Sequence, residues 1–364
     1  MTENETPRMT RREKFGKNKS KRERMESAPI QEPVFREAEY VEYDEQPAKK
    51  KHKRRKKKKR GCLFFILVPL ILLLMAGGAF AYLVFNDAQR TITDSLHMDR
   101  SADQVNLRGK QVDVKKGKEP FTVLLLGIDT GELGRVEQGR SDTIVIATVN
   151  PNTNRTTLTS IPRDTYTEIA GHGTTEKINA AYAYGGTSMA VNTIQELIDV
   201  PIDYTVCVNM QGFEQIVDAV GGITVIPPES FTQDQYSFVA GQETRMDGPM
   251  ALAYSRNRYD TGGDYGRQER QRELIKAILK SASDIESLVS YKGVLESLEG
   301  NVTTDMSFDE IVAMAQNYRS ALNNLETYQL QGTTANNEAG SVELIDESSL
   351  NMIKSQLKNE LELN

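Results

Sequence analysis

Residues Phe121 to Asp129 read FTVLLLGID. This is a continuous apolar run closed by Gly127 and Asp129, the pattern of a buried strand. Downstream, Asp142 to Val149 (DTIVIATV) is a second strand and Arg155 to Ile161 a third. The Pro-Asn-Thr-Asn turn at 151–154 makes a hairpin of those two. Helical patterns cover Lys177–Tyr184 and Ser188–Ile198, divided by Gly185-Gly186. A strand at Tyr204–Met210 precedes a helix at Gly212–Ala219, which stops at Gly221-Gly222. A short strand, Ile223–Ile226, is ended by Pro227-Pro228, and a loop runs from Pro228 to Arg245. Arg267–Ser283 reads as a long helix with Leu274, Ile275, Ile278 and Leu279 on one face. Further helices are expected at Ile285–Leu298, Phe308–Leu322 and Ser349–Leu361, with a late strand at Thr327–Leu330. Strands alternating with helices predict a layered α/β/α domain with a central mixed β-sheet, spanning residues 120–364.

Upstream the chain changes character. Its net charge of -6 conceals a division: residues 1–60 hold 21 Lys and Arg against 11 Asp and Glu, and 61–85 hold none of these. The remainder carries 24 basic and 40 acidic residues. The first sixty residues are too polar to bury a core and are expected to be a disordered tail. Lys49 to Arg60 is basic except at His52. Cys62 to Phe85 is apolar for 24 residues, which as a helix spans roughly 36 Å, enough to cross a bilayer. With the basic block before it and Asn86-Asp87 after it, the tail is expected in the cytoplasm and the domain outside the cell membrane, on a single pass. The basic block then serves as topogenic signal and contact for anionic membrane lipids. Residues 86–119 read as an extracellular stalk, with a helix near Ala88–Leu96.

Composition removes several classes of function. The domain is acidic, so no specific nucleic-acid partner is expected. Cys62 and Cys207 lack metal-ligand spacing, and the three histidines are scattered, leaving no visible zinc site or Ser-His-Asp arrangement. No Walker-type Gly-Lys-Ser/Thr supports an ATPase.

The chemistry-bearing stretch is Asp247 to Arg272, DGPMALAYSRNRYDTGGDYGRQERQR. It holds Arg256, Arg258, Arg267, Arg270 and Arg272, with Asp260 and Asp264 among them. Guanidiniums packed this densely repel unless an anion neutralises them, and the planar fork pairs bidentately with phosphate. A phosphate or pyrophosphate site on a turn before a helix is expected. Arg256 and Arg258, two apart, share a face if the segment is extended. For Arg270 and Arg272 a solvated helix face with Glu269 and Glu273 is an equal alternative. Charged groups also sit at strand ends: Asp129, Arg140 with Asp142, and Arg163 with Asp164. Converging on one edge, Asp129 and Asp142 would make a hard oxygen-donor site suited to Mg²⁺, and Arg163 a phosphate clamp. Strand-end aspartates are also common turn formers. Lys177 is either a surface lysine at a helix terminus or a further phosphate contact.

Six motifs occur in order: LLLGIDT, GRSDTIVIATVNP, SIPRDTY, KINAAYAYGG, VNMQGFEQIVDAVGGITV and ALAYSRNRYDTGGDYGRQERQ. Over roughly residues 120–282 the chain resembles the LytR–CpsA–Psr family of membrane-anchored cell-wall enzymes. The resemblance implies a phosphotransferase. Its donor is a polyprenyl-pyrophosphate-linked secondary wall polymer, and its acceptor the 6-hydroxyl of muramic acid in peptidoglycan; polyprenyl phosphate leaves. It implies Asp129 and Asp142 as Mg²⁺ carboxylates, and Arg140, Arg163, Arg256, Arg258 and Arg267 as pyrophosphate contacts with Gln271 beside them. Lys177 falls at the family's Lys-Ile-Asn position. Asp264 is the candidate base, acting with Arg163 and Arg258 in catalysis. The competing readings are a membrane-bound transcriptional attenuator and a non-catalytic wall-binding protein.

Overall fold

The computed structural model describes residues 86, 89–129, 138–257, 262–283 and 298–363. The expected tail, the apolar segment 61–85, Arg258 and most of the expected helix Ile285–Leu298 lie outside these residues. Among the described residues no helix is long and apolar enough to cross a membrane.

The domain begins with β1 (Phe121–Ile128), β2 (Ser141–Asn150) and β3 (Arg155–Ser160). A small hairpin of β4 (Tyr166–Ile169) and β5 (Thr174–Lys177) follows, then the helix α1 (Ala180–Ile198). Next come β6 (Tyr204–Asn209), α2 (Met210–Ala219) and β7 (Ile223–Val225). A satellite region holds β8 (Phe231–Gln233), β9 (Tyr236–Phe238), β10 (Thr244–Met246) and α3 (Gly248–Arg256). The long helix α4 (Gly263–Ser283) leads to β11 (Val302–Thr304), α5 (Phe308–Asn317) and β12 (Leu325–Gln329). The hairpin β13 (Gly332–Asn337) and β14 (Gly340–Ile345) and the helix α6 (Glu347–Glu360) complete it.

Six strands form one sheet in the order β11-β6-β1-β2-β3-β12. β1 is antiparallel to β2 and β2 to β3, while β6 runs parallel to β1 and β12 parallel to β3. The sheet is therefore mixed, as expected. The continuous apolar run of β1 has a direct cause. Leu124 and Leu126 face one core with Ile146, α1 residues Val191 and Ile194, and α6 residues Ile353 and Leu357. Phe121 and Val123 face a second core with Val145, Ala147 and α5 residue Ala313. A central strand covered on both faces reads as unbroken hydrophobicity rather than alternation. Val191, Ile194 and Leu274 are wholly buried core side chains.

Several elements differ from expectation. Lys177 ends a strand rather than starting a helix, because Gly171 and Gly173, at φ 74° and 73°, turn β4 back onto β5. Gly185 and Gly186 have non-helical backbone angles and divide α1 at a kink, as expected, although the first helical part starts at Ala180 rather than Lys177. The expected loop Pro228–Arg245 contains β8, β9 and the start of β10, where Phe231 and Phe238 pack against Tyr254 in a separate small core. ALAY lies in a helix that reaches Arg256: Asp247 accepts a hydrogen bond from Met250 N at 3.0 Å and Pro249 occupies the first turn, the signals of a helix start. The expected helix Phe308–Leu322 gives way after Asn317 to a 3-10 turn at Arg319–Asn323.

The expected stalk is part of the domain. Ile92, Leu96, Val112 and Val114 are buried. Arg100 donates to Asp305 at 2.8 Å, and Arg108 grips Asp203 with two bonds of 2.7 and 2.8 Å. Polar composition hid four anchoring apolar residues and two long-range ion pairs.

Candidate active site

β1 ends where β2 begins, and β3 ends beside them, so the charged strand termini share one edge of the sheet. Asp129 N–H donates to Arg140 C=O at 3.2 Å, and Arg140 N–H donates to Asp129 Oδ1 at 2.5 Å. Gly139 makes this closure possible: a Cβ there would lie 1.9 Å from Asp129 Oδ1.

Arg163 is the hub. Its Nη1 donates to Asp142 Oδ2 at 2.6 Å, and its Nε lies 3.5 Å from Asp164 and 3.9 Å from Asp264. Lys177 Nζ stands 3.1 Å from Asp164, and Arg267 Nη2 2.5 Å from Asp264. Arg163 and Lys177 keep 18% of their side-chain surface exposed, Asp142 and Asp264 31%, and Arg267 4%. The cations are sunk and the carboxylates reach the opening. Arg140 forms an adjoining pair with Glu176 at 3.5 Å. Glu176 accepts from the Tyr184 hydroxyl, and that bond, followed by burial, pushes the phenol up from its ordinary value.

The structure thus gathers Asp142, Arg163, Lys177, Asp264 and Arg267 into one web, with Asp129 and Arg140 on the neighbouring turn. Among the described residues it does not join Arg256 or Gln271 to that web by hydrogen bond or ion pair. Arg256 ends α3 exposed, and Gln271 lies half-buried one turn beyond Arg267. Both Asp264 and Arg267 belong to the first turns of α4, which starts earlier than the expected Arg267.

Other participants were not singled out in advance. Asn179 donates to Asp142 Oδ1 at 3.3 Å and bonds Arg163 C=O through its N–H at 3.2 Å. Gln268 donates to Asp264 Oδ2 at 2.8 Å. Asp164, already noted at the end of the third strand, joins Lys177 to Arg163. Asn179 lies inside the KIN motif and Gln268 one turn after Asp264, so spacing carried a signal for both.

Arg270 and Arg272 do not lie on a solvated face; both are buried, at 3% and 6% exposure. Arg270 donates to Asn257 C=O and lies over the Phe231 ring at 5.3 Å. Arg272 donates to Ser160 Oγ at 2.8 Å and to Gln329 Oε1 at 3.4 Å. They tie α4 to the satellite region and the sheet, and burial lowers the proton affinity of both guanidiniums.

Among the described residues, Arg140, Arg163, Lys177 and Arg267 face Asp129, Asp142, Asp164, Glu176 and Asp264. Chemically, such an arrangement can hold a phosphorylated group by exchanging internal ion pairs for ligand ones. The chain belongs to the LytR_cpsA_psr family, whose model matches residues 80–359. It is 46% identical over 268 residues to the Enterococcus faecalis polyisoprenyl-teichoic acid–peptidoglycan teichoic acid transferase TagU, covering 73% of this chain and 88% of that protein. A crystal structure of an Enterococcus faecalis protein described as a transcriptional regulator matches at TM-score 0.63 and 37% identity, over 70% of this chain and 92% of that one. A structure of TagT bound to LI-WTA matches at TM-score 0.61 and 29% identity, over 73% of this chain and 100% of that one.

Proposed function

We propose that this protein transfers a polyprenyl-pyrophosphate-linked secondary cell-wall glycopolymer, with its proximal phosphate, to the muramic acid 6-hydroxyl of peptidoglycan. It is a glycopolymer transferase of its family, and teichoic acid is the polymer class that its named relative handles. The observation that carries the reading is the Asp142–Arg163–Asp264–Arg267 web, with Lys177 bound in through Asp164. A regulator or a passive wall binder has no need of so many opposed charges at one opening.

The reaction follows from the roles these side chains can take. The acceptor oxygen forms a bond to the proximal phosphorus, and the bond from that phosphorus to the bridging oxygen breaks. Polyprenyl phosphate leaves with the electron pair, and the hydroxyl proton passes to Asp264. Arg163, Arg267, Lys177 and Arg140 neutralise charge on the phosphate oxygens, which contributes more in the transition state than in the ground state. A guanidinium turned to pyrophosphate is withdrawn from its carboxylate, which leaves Asp264 open toward the acceptor.

The carboxylates beside Arg163 and Lys177 impose a local repulsion on an anionic donor. A hard divalent cation removes it. Asp129 and Asp142, on adjoining strand ends, are the carboxylates assigned here to Mg²⁺, which commonly takes one or two carboxylates and completes its shell with water and substrate phosphate. They would hold it, and it would supply charge neutralisation at the pyrophosphate. The apolar segment 62–85 would anchor the enzyme, placing its tail in the cytoplasm and its site outside the membrane, where donor and acceptor meet.

The test uses the full chain in detergent with a synthetic polyprenyl-pyrophosphate disaccharide, peptidoglycan oligomer and Mg²⁺. Wild type should form product, chelation should abolish it, and Arg163→Ala and Asp142→Ala should each lose about 10²–10³-fold. Product formation undiminished in both variants would overturn the assignment.

A further inference from the structure

The sixth motif ends at Gln271, yet the site is braced from beyond it. Glu343, on β14, is 7% exposed. Its backbone N–H donates to Asp164 C=O at 2.8 Å, and the same residue forms a parallel bridge with Thr165. Its Oε1 accepts from the Tyr265 hydroxyl at 2.6 Å, and its Oε2 from Thr334 Oγ1 at 3.0 Å. The Tyr265 hydroxyl in turn accepts from Gly332 N–H at 2.9 Å. Tyr265 follows Asp264 directly, and Asp164 follows Arg163. One buried residue therefore joins the two parts of the site: its main chain holds the segment carrying Arg163 and Asp164, and its carboxylate holds the helical turn carrying Asp264 and Arg267.

No role in carrying charge to substrate is needed to explain a buried glutamate there. Both its oxygens are occupied by hydroxyl donors, and its main chain is paired. A carboxylate removed from water is retained only when such bonds replace its hydration. Tyr265 is held at its hydroxyl by β13 and β14, and its own C=O accepts from Gln329 Nε2 at 3.4 Å. Gln329 also donates to Gln268 Oε1 at 3.1 Å, and Gln268 reaches Asp264. The first turn of α4 is thus fixed from the C-terminal strands at two points.

We propose that Glu343 is a positioning residue: by bonding Tyr265 and the backbone of Asp164, it sets the separation between the Arg163 clamp and the Asp264–Arg267 pair. The inference rests on the transferase reading above. Charge stabilisation and proton removal both depend on that separation, and a misplacement of about 1 Å can cost 10²-fold in rate.

The experiment compares wild type, Glu343→Ala, Glu343→Gln and Tyr265→Phe as full chains in detergent, in the transfer assay, at a temperature where each is folded by circular dichroism. Glu343→Ala and Tyr265→Phe should lower kcat about tenfold or more while KM for the donor stays within about twofold. Glu343→Gln keeps an oxygen for the Tyr265 hydroxyl and an amide for Thr334, whose hydroxyl can turn to accept. It should restore kcat to within about threefold of wild type, by the same hydrogen-bond logic. If Glu343→Gln is as poor as Glu343→Ala, the charge matters and the positioning role is overturned. Should Glu343→Ala not fold, Tyr265→Phe decides: unchanged kcat overturns the proposal. Wild type that makes no product overturns the transferase reading and this inference with it, whereas active wild type with unaffected variants overturns this inference alone.

Discussion

Gly139 is the tightest point of the candidate site. Any side chain there must displace the Asp129 carboxylate, since a Cβ would lie 1.9 Å from Oδ1 and 3.0 Å from the Asp129 carbonyl carbon. Gly139→Ala should therefore break the bond from Arg140 N–H to Asp129 and move one of the two carboxylates proposed for Mg²⁺. The expected result is a fall of about 10–100-fold in kcat/KM, from misplacement alone. The Mg²⁺ concentration for half-maximal rate should rise. The melting temperature should move little, because the contact closes a turn at the sheet edge and no core side chain is disturbed. Titrating Mg²⁺ against rate in both proteins checks this; an unchanged Mg²⁺ requirement would remove Asp129 from the metal assignment. At this scale the sequence was readable for charged groups and silent about what holds them. Asp129, Asp142, Arg163 and Asp264 stand out because charge at the end of an apolar run needs a reason. Gly139 stands out only once the two strands are paired.

Elements were legible where burial imposes a pattern over several residues. β1, β2, β3, β6 and α2 fall within a few residues of their expected bounds; for β1 the cause is burial on both faces, which makes the strand apolar nearly throughout. The segment from Ile92 to Glu119 shows the opposite case. It is fastened by single contacts to partners far along the chain, and no local pattern encodes these. Arg108 and Asp203 are 95 positions apart, and Asp203 also accepts from Thr122 N–H at 2.9 Å. With side-chain exposures of 11% and 6%, the pair is buried, so Arg108→Ala should destabilise by about 3–5 kcal/mol, the cost of stranding a buried carboxylate. The neighbouring pair adds a pH signature. Burial pushes the Asp305 carboxyl above its ordinary value of 3.8, and Arg100 acts against that shift. The folded state then holds this proton more tightly than the unfolded chain, so the group favours the fold at low pH, and its contribution declines as pH rises above about 3.8 through the folded value. Arg100→Ala removes the opposing charge and should cost more stability at pH 7 than at pH 4. Urea midpoints of both variants at both pH values give the answer; a pH-independent loss in Arg100→Ala would show that Asp305 does not carry it.

At the scale of the whole molecule, the motifs and the folding unit have different limits. The sixth motif ends at Gln271 and the resemblance near residue 282, but the sheet takes both edge strands from later sequence, β11 against β6 and β12 against β3. Val302–Thr304 is three residues long, too short to show a period, and β12 (LETYQ) is half-buried along most of its length, so neither edge announced itself fully. One face of β1 and β2 is covered in part by α6, through Ile353, Leu357 and Leu361. Arg155 extends the same dependence, since it pairs with Glu360 at the end of α6 and with Glu326 on β12. Before the motifs, Arg108 supplies the counter-charge for Asp203. A fragment of residues 120–282 would thus keep every candidate catalytic residue while exposing two sheet edges and an apolar face. Unpaired edges template association, and an uncovered face removes about 25 cal/mol of stabilisation for each Å² returned to water. That fragment should aggregate or melt without a cooperative transition, and a fragment of residues 86–364 should melt cooperatively as a soluble species. Thermal circular dichroism with size-exclusion chromatography distinguishes the two. A soluble, cooperatively melting 120–282 would mean that the flanking strands and α6 are additions to a core that folds without them, and Glu343 could then brace the site only as a later attachment.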